Sequence, residues 1–124
     1  MALELTDYEV AVAENADLAR INDRFRSTWG ADFTIPGQIV MTRGVAALPY
    51  EAQVKIMVTV MQFADFAEDN DPYGDHSFGV FTIEGERLYW KIDYYDRDYR
   101  YGSEDPRDLA QTGRVLTILL ASEY

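Results

Sequence analysis

The stretch "FGVFTIEGERLYWKIDYY", residues 78–95, decides the fold class. Gly79, Phe81 and Ile83 alternate along its first half, and Leu88, Trp90, Ile92 and Tyr94 alternate along its second. A period of two puts each set on one face of an extended strand. Between them "EGE" suits a tight turn containing Gly. Phe78–Ile83 and Arg87–Tyr95 therefore read as a β-hairpin whose two apolar sets face one core. The opposite face of the second strand carries Tyr89, Lys91, Asp93 and Tyr95, which is polar and aromatic.

Elements to either side extend this reading. Thr6 and Glu9 form a capping box at the start of a helix over about Asp7–Thr28, with Leu18, Ile21, Phe25 and Trp29 as its apolar stripe. Asp7, Glu9 and Glu14 suit the positive end of the helix dipole, and Gly30 ends the helix. Gln38–Arg43 reads as a short strand. Pro49 opens a second helix, to about Phe66, with Val54, Met57, Met61 and Ala64 on one side and Ile56, Val60 and Phe63 on an adjoining one. So broad an apolar face implies packing on more than one side and offers a homodimer contact. "RVLTILLA", Arg114–Ala121, is apolar on both faces as a central strand would be, with a short helix as the competing reading. The order is α-β-α-β-β-β. It predicts a single α+β domain over residues 1–124: an antiparallel sheet of about four strands with two helices packed on one face.

A chain of 124 residues with 48% hydrophobic residues is long enough to bury a core without staples. No apolar run approaches the roughly 20 residues that span a bilayer, and the N-terminus does not read as a signal peptide, so the expected location is cytoplasmic with no membrane partner. With no Cys, disulfides, thiol catalysis and Cys-ligated metals are excluded. Net charge is −11, from 22 acidic and 11 basic residues. Duplex DNA is itself densely anionic, so direct nucleic-acid binding is disfavoured. A protein partner with a basic nucleic-acid-binding surface suits the same charge.

Chemistry concentrates in two stretches. "EDNDPYGDHSFG", Glu68–Gly79, holds Asp69, Asp71, Asp75 and the chain's only His, His76. As a calcium loop starting at Asp69 it places Asp71 and Gly74 correctly, but Tyr73 stands at position five and Val80 where the bidentate Glu belongs. One His without Cys is a poor transition-metal set. A Mg²⁺ site from these acids, serving a metal-assisted hydrolase with Asp69, Asp71, Asp75 and His76, is the alternative reading. Asp71-Pro72-Tyr73-Gly74 also suits a turn with Pro second, which makes the loop architectural. His76 and Ser77 are neighbours that a strand points apart, and no phosphate-loop or nucleophile-elbow motif occurs, so no catalytic residue, metal or cofactor is assigned.

The second stretch is "KIDYYDRDYRYG", Lys91–Gly102. Asp93, Asp96 and Asp98 interleave with Tyr94, Tyr95, Tyr99, Arg97 and Arg100. Tyr and Arg are enriched at binding hot spots. Both stretches flank the open end of the hairpin. Their convergence would create one acidic, Tyr-rich surface of Asp69, Asp71, Asp75, His76, Asp93, Tyr94, Tyr95, Asp96, Arg97, Asp98, Tyr99 and Arg100.

"INDRFR" (Ile21–Arg26), "MTRGVAALP" (Met41–Pro49), "FAEDNDPYGDHSFGVF" (Phe66–Phe81), "WKIDYYDRDYRYGSEDP" (Trp90–Pro106) and "RVLTILLASEY" (Arg114–Tyr124) resemble a bacterial domain-of-unknown-function family. Its members are small proteins frequent in alphaproteobacterial genomes, plasmids and phage-like elements. The resemblance covers the chain from about Asn15 onward and carries no catalytic residues. It implies a context in which small acidic proteins block host defence. The expected function is therefore a non-enzymatic inhibitor of anti-CRISPR or anti-restriction type, with the hydrolase and a dimeric housekeeping module as alternatives.

Overall fold

The computed structural model describes residues 4–124; residues 1–3, the head of the expected domain and of the segment read for a signal peptide, lie outside the described residues. The hairpin forms as its alternation requires. Strand β2 (Phe78–Ile83) pairs antiparallel with strand β3 (Glu86–Tyr95), Gly79 opposite Trp90 and Phe81 opposite Leu88. Glu84 and Gly85 make the turn at φ 51° and 83°. Two consecutive positive φ values match the twist of the flanking strands, and Gly adopts the second without a Cβ clash.

Strand β4 (Gly113–Leu120) pairs antiparallel with the other edge of β3, Ile118 opposite Trp90 and Leu116 opposite Ile92. The C-terminal segment is thus a strand, followed by a 3₁₀ turn at Ala121–Glu123. Strand β1 (Gly37–Met41) adds beyond β4 and gives the order β1-β4-β3-β2. It runs parallel to β4, with Ile39 opposite Leu116. The sheet is therefore mixed, which corrects the antiparallel expectation. Side-chain alternation reports which face a residue occupies; it does not report which way the neighbouring strand runs.

The register sets Leu88, Trp90, Ile92, Leu116 and Ile118 on one face. There they are buried with Phe25, Val45, Ile56 and Val60 in one cluster. These four come from helices α2 (Ala16–Ser27), α3 (Arg43–Ala46) and α4 (Tyr50–Met61), so the helices meet the Trp90 face of the sheet. Each such burial contributes roughly 1.5–3 kcal/mol before entropy is charged against it. The α+β class holds.

Three boundaries depart from expectation. The first helix is two: α1 (Asp7–Glu14), with its capping box intact, and α2, separated at Asn15. The expected stripe of Leu18, Ile21 and Phe25 lies in α2, whereas α1 buries no residue. Asn15 pins the break. Its Nδ2 donates to the Tyr73 carbonyl at 2.7 Å, and its Oδ1 accepts from Arg107 Nη2 at 2.7 Å. Helix α4 ends at Met61 rather than Phe66, because Arg26 Nη1 donates to the carbonyls of Val60 (2.8 Å) and Phe63 (3.0 Å). Leaving the helix there lets the Phe63 and Phe66 rings pack edge-on against Trp90, with centroids 5.5 and 6.1 Å away. Strand β1 stops at Met41, and α3, which periodicity did not reveal, follows and delivers Val45 to the core.

Candidate functional site

The acidic loop is built around the expected turn. Gly74 N–H donates to the Asp71 carbonyl at 3.0 Å across Pro72 and Tyr73. Gly74 lies at φ 67°, and a Cβ there would come within 2.6 Å of Val12 Cα, so this glycine lets the loop touch α1. Upstream, Asn70 accepts from Ala67 N–H at 2.8 Å and donates to the Asp65 carbonyl at 2.9 Å. The loop is tied at both ends by its own side chains.

Two of its carboxylates point inward. Asp71 is 2% exposed and Asp75 is 8% exposed. Asp71 Oδ1 accepts from His76 N–H at 3.0 Å. Asp75 Oδ1 accepts from Ser77 Oγ at 2.7 Å, and its Oδ2 accepts from Tyr94 Oη at 2.9 Å. This corrects the expectation that both acids stand on a partner-binding surface: the backbone and hydroxyl donors of the loop and of β3 outcompete solvent for them. Burial, opposed by the His76 N–H bond, pushes the Asp71 carboxyl above the usual carboxylate range.

Asn22 connects this loop to the rest of the fold. Fully buried, it donates Nδ2 to the Asp75 carbonyl (2.8 Å) and to Tyr94 Oη (2.7 Å), and it accepts from Arg114 Nε at 2.7 Å. Arg114 lies 5.2 Å from the Tyr94 ring centroid and donates Nη2 to the Pro106 carbonyl at 2.8 Å. Tyr94 is pushed well above its ordinary pKa, first by burial and then by the Asp75 charge. One polar network thus joins α2, the acidic loop, β3, β4 and the segment before β4.

His76 is held beside it, at φ 56°. Its ring stacks on Phe66 at 3.8 Å between centroids. Nδ1 sits 2.9 and 3.0 Å from the two Asp23 oxygens, which places a proton on Nδ1. Asp23 also receives Arg26 Nη2 at 2.7 Å. Nε2 lies 3.8 Å from Asp71 Oδ2, too far for a hydrogen bond, and that oxygen has no hydrogen-bond partner among the described residues. Reasoning from sequence missed Asn22, Asp23, Arg26 and Arg114. A signal was present: Asn22 and Arg26 fall four and eight residues after Leu18, on the apolar stripe, and Arg114 falls on the inward alternation of Leu116 and Ile118.

The second motif behaves differently. Lys91 Nζ bonds Asp93 at 2.8 Å on the outer sheet face. Asp96 closes the following turn by accepting from Arg100 N–H at 3.0 Å. Tyr99, at φ 58°, lays its ring where a Cβ on Gly113 would stand. Arg97, Asp98 and Arg100 are exposed at the tip. The two motifs meet at the internal Asp75–Tyr94 bond. Their outer parts line separate hollows, one including Asp69, Tyr73, Phe78 and Tyr124, the other Asp96, Arg97, Tyr101 and Glu104, with no residue in common.

Among the described residues no group of three or more His, Asp or Glu is arranged to hold a metal ion; of the acids that a hydrolase would use, Asp75 is bonded to Ser77 and Tyr94 and Asp71 to the His76 N–H, whereas Asp69 is exposed. No helix among them is long and apolar enough to cross a membrane. Fold and site together define a small acidic α+β domain with a stapled loop and exposed carboxylates. A family model described as "Protein of unknown function (DUF3768)" matches residues 41–123, and the chain belongs to that family. The matched span contains both motifs and excludes Asn22, Asp23 and Arg26. No curated protein and no solved structure matches the chain.

Proposed function

We propose that this is an acidic, non-enzymatic interaction protein that occupies the basic nucleic-acid-binding surface of a host defence or DNA-handling protein, in the manner of anti-CRISPR and anti-restriction proteins. The observation that carries the reading is segregation of charge. No Lys or Arg precedes Arg20, and none lies between Lys55 and Arg87. These two anionic segments lie together: α1 contacts the loop at Gly74, and burial and then the charges of Asp71, Glu68 and Asp69 push the Tyr8 phenol up. Glu4, Asp7, Glu9, Asp65, Glu68 and Asp69 are exposed and make no ion pair among the described residues. Such a field resembles that of a phosphate backbone. Tyr95, Arg97 and Tyr99 supply anchors of the kind that dominate hot spots, beside Arg100 and the carboxylates of Asp93 and Asp98, which would stand in for phosphates. The resemblance to small proteins of alphaproteobacterial genomes, plasmids and phage-like elements supports a cytoplasmic target of this class.

The test is displacement. Purified restriction and RNA-guided nucleases are each loaded with a fluorescein-labelled target duplex and titrated with the protein. Loss of anisotropy together with loss of cleavage in at least one enzyme supports the reading. Intact anisotropy and cleavage throughout, at protein in large excess, contradict it.

A homodimer is the second reading. Tyr50, Val54 and Val58, spaced by four on α4, are 77%, 37% and 41% exposed and form an unpartnered apolar stripe. Light scattering at micromolar protein, compared with Val54→Glu/Val58→Glu, decides it: a monomeric wild type removes this reading.

A further inference from the structure

The loop's partner in forming an acidic surface is α1, and between them lies an apolar groove of about 640 Å³. Leu5, Tyr8, Val12 and Ala13 form one wall; Ala64 and Phe66 form the other, with His76 between. Leu5 is 60% exposed and Val12 is 38% exposed. Helix α1 buries nothing of its own, and its Tyr8, Val12 and Ala13 line this groove. Glu9 lines the groove on the α1 side, and on the loop side Glu68 and Asp69, both exposed, stand near enough to the lining residue Tyr8 for their charges to act on its phenol.

We infer that this groove docks a basic amphipathic helix of a protein partner, its apolar stripe on Phe66 and Val12 and its Lys or Arg residues on the rim. An apolar trough selects an apolar stripe, and carboxylates on both banks select flanking cations. A second copy of the chain is disfavoured, because a self-complementary contact would set these acidic rims against each other. A bare nucleic acid is excluded by the sign of the charge. The inference rests on the inhibitor reading for its class of partner. It deepens that reading by placing an anchoring surface on α1, outside the two sequence motifs.

The probe is a labelled peptide of about 18 residues with Leu at i, i+3, i+4 and i+7 and Lys or Arg elsewhere, compared with a scrambled peptide of equal composition. The expected result is binding of the striped peptide about tenfold tighter than the scrambled one. Leu5→Gln/Ala13→Gln, both at exposed positions, removes that preference. Glu68→Gln/Asp69→Asn keeps the preference but weakens both peptides and flattens the salt dependence between about 0.1 and 1 M. Equal binding of the two peptides overturns the inference, as does unchanged preference in Leu5→Gln/Ala13→Gln with a native circular dichroism spectrum. A wild-type dimer dissociated by that double substitution assigns the groove to a second copy and overturns it too. Because no nuclease is present, the two claims fail separately. Stripe-dependent binding without duplex displacement overturns the inhibitor reading, and displacement without it overturns the groove.

Discussion

Asn22 is the residue on which most elements converge. It satisfies a carbonyl of the acidic loop, the Tyr94 hydroxyl and the buried Arg114 guanidinium. Asn22→Ala would strand the Asp75 carbonyl and Arg114 Nε and take one of two partners from the Tyr94 hydroxyl, and we predict a loss of about 3 kcal/mol in urea unfolding. A loss under about 1 kcal/mol would mean that the network relaxes onto other partners. Asp71 makes a pH-dependent contribution of a particular sign. Its folded-state pKa is raised above the ordinary 3.8, chiefly by burial. The folded protein therefore holds that proton more tightly, and the contribution is fully present below 3.8 and lost as pH rises through the raised value. Asp71→Asn keeps an acceptor for His76 N–H, so it should raise stability at neutral pH and remove this slope. Asp32 has the opposite sign. Bonds from Thr34 and then Arg24 lower its pKa to about 2, so its contribution fades as pH falls below 3.8. Thermal melts of Asp71→Asn and Asp32→Asn across pH 2–7 would separate the two limbs, with "2" the value expected of Asp32.

Among the elements, α1 depends most on its surroundings. Eight residues are too few for a helix to stand alone in water, and this one lacks a buried face. What holds it are the Thr6–Glu9 capping box, the approach of Gly74 and the bonds of Asn15. Asn15→Ala should cost about 1–2 kcal/mol and speed amide exchange in α1 well before α2. Equal exchange in both helices would show that they unfold as one. The same contrast explains why sequence misplaced the boundary. The capping box and the Leu18–Phe25 stripe were both legible, but each belongs to a different helix. Only the distant Tyr73 and Arg107 reveal the break between them. The hairpin needed no such distant partner, since its alternation and its turn lie within eighteen consecutive residues, and it was read correctly.

At the scale of the whole molecule, the charge is unevenly spread. The 91–102 motif balances Asp93, Asp96 and Asp98 with Lys91, Arg97 and Arg100, whereas Asp65–Asp75 has no cation of its own. Composition shows the −11 total but not its placement; that depends on α1 folding against the loop. Burial of Asp71 and Asp75 was equally illegible, because an acid in a loop looks the same whether it faces water or a backbone N–H. The loop is therefore both a staple through its inner acids and a field source through its outer ones. Asp65→Asn/Glu68→Gln/Asp69→Asn tests that division most directly, with the melting temperature and the labelled-duplex displacement measured on the same sample. The account predicts a melting temperature within about 2 °C of wild type, as for exposed substitutions, and displacement weakened about tenfold. Full displacement by the folded triple variant would contradict it.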